Sequence, residues 1–344
     1  MILKKHKLSL MQSFTTEQII DKGISVGFTY KSFEFSIKGK YNPTDALFNH
    51  KDVPHFNHLH ANLAGSYGNE GIYYGDVVSF IRYFKFLSFS FPILILMKDD
   101  GESRVLETFS FFIFQFLKLN TEKEIPEGGC ESKITYYIGA KNKFLLSIFL
   151  PFFKKMFKKS FNDYKEDDHP FLNRRAELRE NGFYFNKDNI SNFSFEDTLN
   201  IKKQNCFFDY KSLNDKNQKV TINLENLIND EMKILDDSKI LSFQIFKENN
   251  NIKIYPLVCP HEGGYLIINN KVGVKFTKQD FKKAKCRVRC NIHNRRFDPI
   301  FDINLDDNKN TYQSNMYNLM INKEEIIIEL KQDIDKNLNQ DWSE

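Results

Sequence analysis

Between about residues 23 and 150, apolar and β-branched runs alternate with polar breaks. GISVGFTYKSFEFSIKGKY, VVSFIRYFKFLSFSF, SRVLETFSFFIFQFLKL and KITYYIGA are separated by Gly, Pro, Asn and Asp. Such runs bounded by turn formers predict strands, and their close succession predicts an antiparallel sheet. From 141 to 181 the pattern changes to Lys, Phe, Leu, Arg and Glu at helical spacing, closed by Asn181-Gly182. That predicts a long helix lying across the concave face of the sheet. The polar, poorly periodic stretch that follows reads as a connecting segment. KILSFQIF, NIKIYPLV, NMYNLMI and EEIIIEL then predict the short strands of a small all-β domain. The expected class is α+β: a sheet-and-helix domain over 1–185, a connector over 186–235 and an all-β domain over 236–335.

A length of 344 residues suits two domains and supports a sizeable core. The balance of 49 Lys+Arg against 45 Asp+Glu leaves +4, too small and dispersed to point to nucleic acid. Phe is the compositional anomaly, at 35 residues beside a single Trp, and it is concentrated between 80 and 160. A greasy cavity is one consequence of such a stretch. The longest apolar runs, Phe86 to Met97 and Phe144 to Phe153, are shorter than the ~20 residues of a spanning helix, so no membrane span is expected. The basic start MILKKHKLSLM lacks the apolar core of a secretory signal, and the cytoplasm is the expected compartment. Five Cys are too few for a disulfide scaffold, and three of them fall between 259 and 290, which points to metal.

Those Cys sit in LVCPHEGGYL, where Cys259 and His261 form C-x-H, and in CNIHNRRFD, where Cys290 and His293 form C-x-x-H. A [2Fe–2S] centre with two thiolates on one iron and two imidazoles on the other needs one Cys and one His from each of two loops. Tetrahedral zinc also accepts Cys2His2, although zinc ribbons and fingers do not pair one Cys with one His in each of two separated loops. Pro260 stiffens the first loop, while Gly263 and Gly264 allow close backbone approach. The segments resemble the Rieske proteins' CPH-x-G-x-x-L and C-P-x-H-G-W-x-F-D. Asn291, Asn294 and Arg295 replace the family's Pro, Gly and Trp, and the 28 residues from Glu262 to Arg289 make a longer separation than usual. Cys286 reads as a spare thiol, since a shift of ligation to it would destroy the C-x-x-H unit. The run KKAKCRVRCNIHNRR brackets the second loop with positive charge, a rim suited to an acidic ferredoxin or flavoprotein reductase as electron donor.

Four of the eight His lie within NHKDVPHFNHLHANL, where Asp52, His55 and His60 make D-x-x-H-x-x-x-x-H. This resembles the mononuclear iron motif of the Rieske non-haem iron oxygenases, whose two His and a distant carboxylate hold Fe(II) with positions open to O2. The resemblance implies a helix-grip catalytic domain and an Asp ligand late in it. Asp168 in DDHPFL fits best, with Asp167 as the alternative. It also implies that Asp52 bridges electron transfer between the metals, while His50 and His58 remain spare. The expected activity is hydroxylation or oxidative demethylation of an apolar or aromatic small molecule with O2. The alternative is a non-catalytic helix-grip binder carrying a Rieske electron-transfer or redox-sensing domain. Family members place the Rieske domain first and form homo-oligomers, typically trimers; here the domain order is reversed.

Overall fold

The computed structural model describes residues 14–53, 71–86, 89–180, 183–184, 193–201, 207–208, 219–228, 232–235, 243–257, 259, 266–267, 288–290, 296–307, 309–314 and 317–330. The chain divides into two compact units. One comprises Met1–Ala176 with Asp188–Lys203, and the other Glu177–Lys187 with Gln204–Glu344.

The first unit opens with α1 (Thr16–Ser25), which starts at a capping box: Thr15 accepts from the Gln18 amide while Gln18 reaches back to the Thr15 N–H. Then come β1 (Thr29–Gly39), α2 (Pro43–Lys51), β2 (Ile72–Tyr74), β3 (Val77–Phe86), β4 (Phe89–Asp99), β5 (Arg104–Phe111), β6 (Phe114–Glu124), β7 (Cys130–Ala140) and α3 (Lys143–Glu180). After α3, α4 (Phe195–Ile201) returns to this unit. The strands form one antiparallel sheet ordered β1-β7-β6-β5-β4-β3-β2, so a meander from β2 to β7 is completed by β1 pairing with β7. The strong period-2 signal of the sequence is realised across this sheet.

Alternation along β6 separates two buried faces. Phe114, Phe116, Asn120 and Glu122 are buried on one side, while Leu117 and Leu119 on the other pack with Leu106 against Ile19 and Ile20 of α1. The long helix covers the first face. Leu146, Phe153 and Phe157 pack on Phe116, Ile134 and Tyr136, with ring centroids of Tyr136 and Phe157 4.3 Å apart. Each aromatic side chain so removed from water contributes about 1.5–3 kcal/mol, and this seam fixes the helix on the sheet.

The second unit contains β8 (Phe183–Tyr184) paired with β9 (Phe207–Phe208), then β10 (Lys219–Asn223), β11 (Met232–Leu235), β12 (Phe243–Glu248), β13 (Asn251–Pro256), β14 (Leu266–Ile267), β15 (Val288–Cys290), β16 (Arg296–Phe297), β17 (Phe301–Asn304), β18 (Thr311–Gln313), β19 (Tyr317–Ile321) and β20 (Glu325–Leu330). The larger sheets are β10-β20-β19-β18 and β11-β12-β13-β17. Phe243, Ile245, Ile254, Ile303, Leu319 and Ile328 form the centre of their shared core. The segment 186–235 is more than a connector. Part of it returns to the first unit, and β10 and β11 supply strands to the second. In β10 only Ile222 is buried, so its apolar signal is thin against polar surroundings.

Candidate functional site

The polar centre of the first unit is built around α2. Asn42 caps the helix by accepting from the Asp45 amide, Pro43 occupies its first turn, and the helix ends at Asp52, whose N–H reaches the Phe48 and Asn49 carbonyls. Nearly every side chain of this helix is inward. Asp45, Asn49, His50, Lys51 and Asp52 are all buried, an unusual load of polar groups that must find partners inside. Lys51 reaches Asp99 at 2.7 Å and the Phe193 carbonyl at 2.5 Å, tying the end of α2 to β4 and to the start of the returning segment. Burial pushes the Asp99 carboxyl up to about 6 even though Lys51 pulls it down.

His50 Nε2 lies 2.9 Å from Glu122 Oε1 on β6, and the His50 ring stacks on Tyr164 of α3 with centroids 6.0 Å apart. The other carboxylate oxygen of Glu122 accepts from Ser132 Oγ at 2.5 Å and from Cys130 Sγ at 3.3 Å, both on β7. Tyr41 O–H sits 2.8 Å from Ser132 Oγ. Burial, reinforced by Glu122, raises the Cys130 thiol, so it remains a protonated donor. Burial and the nearby Glu122, Tyr41 and Asp168 likewise raise the Tyr164 phenol. The cluster joins α2, β6, β7 and α3. Glu122→Ala leaves the buried His50 without its carboxylate and the Ser132 and Cys130 donors without an acceptor. A loss of about 3 kcal/mol or more is expected in urea denaturation. Glu122→Gln, which keeps the shape and an acceptor, is expected to lose less than half as much. Equal losses in the two variants would contradict this account of the carboxylate.

Asp168 is buried on α3, and its Oδ1 accepts from Asn49 Nδ2 at 2.9 Å. The structure thus brings the late acidic run against α2, three residues before Asp52. Pro170, inside the helix, leaves the Glu166 carbonyl without its usual amide donor. His169 bonds to the Lys38 carbonyl at 2.9 Å and packs edge-on to Tyr41, clamping this turn to the end of β1. Asp167, the alternative register, is only half-buried, so Asp168 is the inward carboxylate of the pair. His55, His58 and His60 lie outside the described residues. Spacing alone could not single out Asn49, Glu122, Ser132 or Tyr164. The one available signal for Glu122 was its place on the inward parity of β6, in step with Phe114 and Phe116.

Beside this cluster, a cavity of about 500 Å³ opens between the sheet and α3. Its walls are aromatic, with Phe109, Phe116, Tyr136, Phe153 and Phe157 among them. One row is charged: Glu107, Lys118 and Tyr136 are cross-strand neighbours on β5, β6 and β7, and Lys118 Nζ lies 3.2 Å from Glu107. Burial alone would raise Glu107, but Lys118, Arg82 and His50 together hold it below its ordinary value. Asp163 of α3, which precedes Tyr164 of the polar centre, also lines the cavity. An apolar molecule with one polar group fits such a lining.

In the second unit Cys259 and Cys290 are both buried, and neither forms a disulfide. Cys290 ends β15 and pairs with Leu266, the first residue of β14, in the small antiparallel sheet β14-β15-β16. His261 and His293 lie outside the described residues. Among the described residues no group of three or more His, Cys, Asp or Glu is placed to hold a metal. Each expected ligand set has two members beyond them. The donors that are described are two buried thiols and one inward carboxylate beside α2, of the types that an iron–sulfur cluster and a hard-ligand iron take.

No family model and no curated protein matches the chain. Solved structures similar to it include norcoclaurine synthase from Thalictrum flavum, at 14% identity and a TM-score of 0.30, covering 37% of this chain and 78% of that one. Ara h 8.0201 is similar at 16% identity and 0.29, covering 43% and 98%. A protein from Thermus thermophilus, TTHA0849, is similar at 10% and 0.30, covering 42% and 97%. Likeness at this level carries no function across.

Proposed function

We propose that this chain is a Rieske-type non-haem iron oxygenase that hydroxylates or oxidatively demethylates an apolar or aromatic small molecule. The observation that carries the proposal is the pair of Cys-His motifs in the sequence, C-x-H at Cys259 and C-x-x-H at Cys290, whose two Cys are both buried and free of disulfides. Cys259, His261, Cys290 and His293 would hold the [2Fe–2S] cluster, and His55, His60 and Asp168 the mononuclear iron. When bound, the cluster relays single electrons and the iron offers open positions to O2.

The chain's own residues supply the rest. Asn49 orients the Asp168 carboxylate by donating to Oδ1. Asp52, buried at the end of α2, is the proposed bridge for electron passage. The aromatic cavity binds substrate and excludes water, and Lys118 and Glu107 orient its polar group. In hydroxylation one atom of O2 enters a C–H bond and the other leaves as water. Two electrons come from an external ferredoxin or flavoprotein reductase and two protons from solvent. A positive docking rim suits an acidic donor, and Arg289 of β15 is in register with Arg296 of β16 within the basic run.

The cavity by itself would equally serve a ligand binder with an attached redox module. Metal analysis of anaerobically purified protein separates the two readings. The oxygenase is expected to carry three irons per chain and the binder two. Two irons with no incorporation of labelled oxygen into any aromatic substrate would remove the catalytic reading and leave the binder.

A further inference from the structure

We infer that the hairpin tip between β5 and β6, together with the N-terminal half of α3, docks on an anionic lipid bilayer from which ligands enter the cavity. The tip is Phe112-Ile113, a two-residue turn inside the apolar run FFIF of Phe111 to Phe114, with no Gly, Asn or Asp. Phe112 adopts a φ of +52°, a left-handed conformation rare for a bulky residue, and presents a ring that is 79% exposed. A two-residue hairpin turn calls for positive φ, which Gly, Asn or Asp supply at least cost, so the choice here of a largely exposed phenyl ring points to a role outside the fold.

The helix beside the tip repeats the theme. While Leu146, Phe153 and Phe157 face the sheet, Phe144, Ile148, Phe149 and Phe152 are exposed on another face. Lys155 and Lys159 lie seven residues after Ile148 and Phe152, two turns further along that exposed face. From 141 to 162 the chain has six Lys and no Asp or Glu, hence +6 against +4 for the whole protein. All six are exposed. An apolar face that passes into lysines is the pattern of helices lying in the bilayer interface, with rings among acyl chains and ammonium groups at the headgroups. A second copy of this surface would bring +6 against +6, so charge disfavours self-association there. Among the described residues no helix is long and apolar enough to cross a membrane, so the mode is attachment and not insertion across the bilayer.

Continuity with the cavity gives the surface its use. Phe112, Ile113, Phe149 and Phe152 are exposed and also line the 500 Å³ cavity, together with Lys159. The same tip borders a second groove against α1, reaching Val26 and Lys141. A lipophilic molecule can pass from acyl chains to the aromatic interior along one apolar track, ending at Glu107 and Lys118. This holds whether the bound molecule is oxidised or merely carried.

The test is co-sedimentation of the full chain with phosphatidylcholine vesicles, with and without phosphatidylserine. Binding is expected only with phosphatidylserine, and it should weaken as salt rises. The double variant Lys155→Glu, Lys159→Glu should bind at least about tenfold more weakly, each basic residue near the surface being worth roughly fivefold. Phe112→Ser with Phe152→Ser should bind hardly at all. Phe112→Trp provides a second readout that needs no loss of residues: its emission should shift to the blue with anionic vesicles and be quenched by brominated lipid. The inference is overturned if the unaltered protein ignores anionic vesicles at low salt, or if the variants bind as it does. It is also overturned if sedimentation velocity shows a dimer that Phe112→Ser dissociates, which would assign the patch to a second copy.

Discussion

Cys290→Ser is expected to abolish the signal of the proposed cluster and all reductase-driven turnover, while the first unit keeps its fold. A serine alkoxide is a poor substitute for thiolate on iron, and Cys290 occupies a fully buried position at the end of β15. Cys259→Ser should do the same from the other loop. Cys286→Ser, four residues before Cys290, should leave the spectrum unchanged, because its thiol falls outside the C-x-x-H unit. Electron paramagnetic resonance of the dithionite-reduced protein reads all three. A retained signal in Cys290→Ser together with a lost one in Cys286→Ser would move the ligand set.

Asp168→Ala is expected to reduce oxygenation at least about a thousandfold, with the cluster spectrum intact, because it removes the only buried carboxylate of the acidic run and hence a ligand of the proposed iron. Asn49→Ala makes a different prediction. It keeps the ligand but frees the carboxylate to rotate, so iron should bind about 10–100-fold more weakly and excess Fe(II) should restore turnover. His55→Ala and His60→Ala should match Asp168→Ala. Their agreement matters because a purely structural Asp168 would lower stability in Asp168→Ala and leave the His variants active. Iron content after desalting, measured beside thermal stability, separates those outcomes.

Much of the architecture was legible from periodicity. The strands from 29 to 140 and the helix ending at Glu180 follow the alternation and the Asn181-Gly182 stop. The turn at Phe112-Ile113 was illegible because it uses none of the residues that normally mark turns, so two strands read as one run. Helix α2 was missed for the opposite reason. It is buried on nearly every side and offers no polar face, so neither period stands out in PTDALFNHK. The site followed the same division. Cys259 and Cys290 stood out by motif spacing and Asp168 through the resemblance, and all three are buried. Glu122, Ser132 and Tyr164 were invisible because their meeting with His50 depends on register between β6 and β7 and on where α3 crosses them.

The most direct test of the account is a redox titration of anaerobically purified protein, accompanied by iron and acid-labile sulfide analysis. Imidazole ligation by His261 and His293 predicts two sulfides per chain, a midpoint between about −150 and +300 mV, and a potential that falls as pH rises through the imidazole titrations. Stoichiometric zinc without sulfide, or a pH-independent midpoint near about −400 mV, would contradict the Rieske assignment and with it the oxygenase.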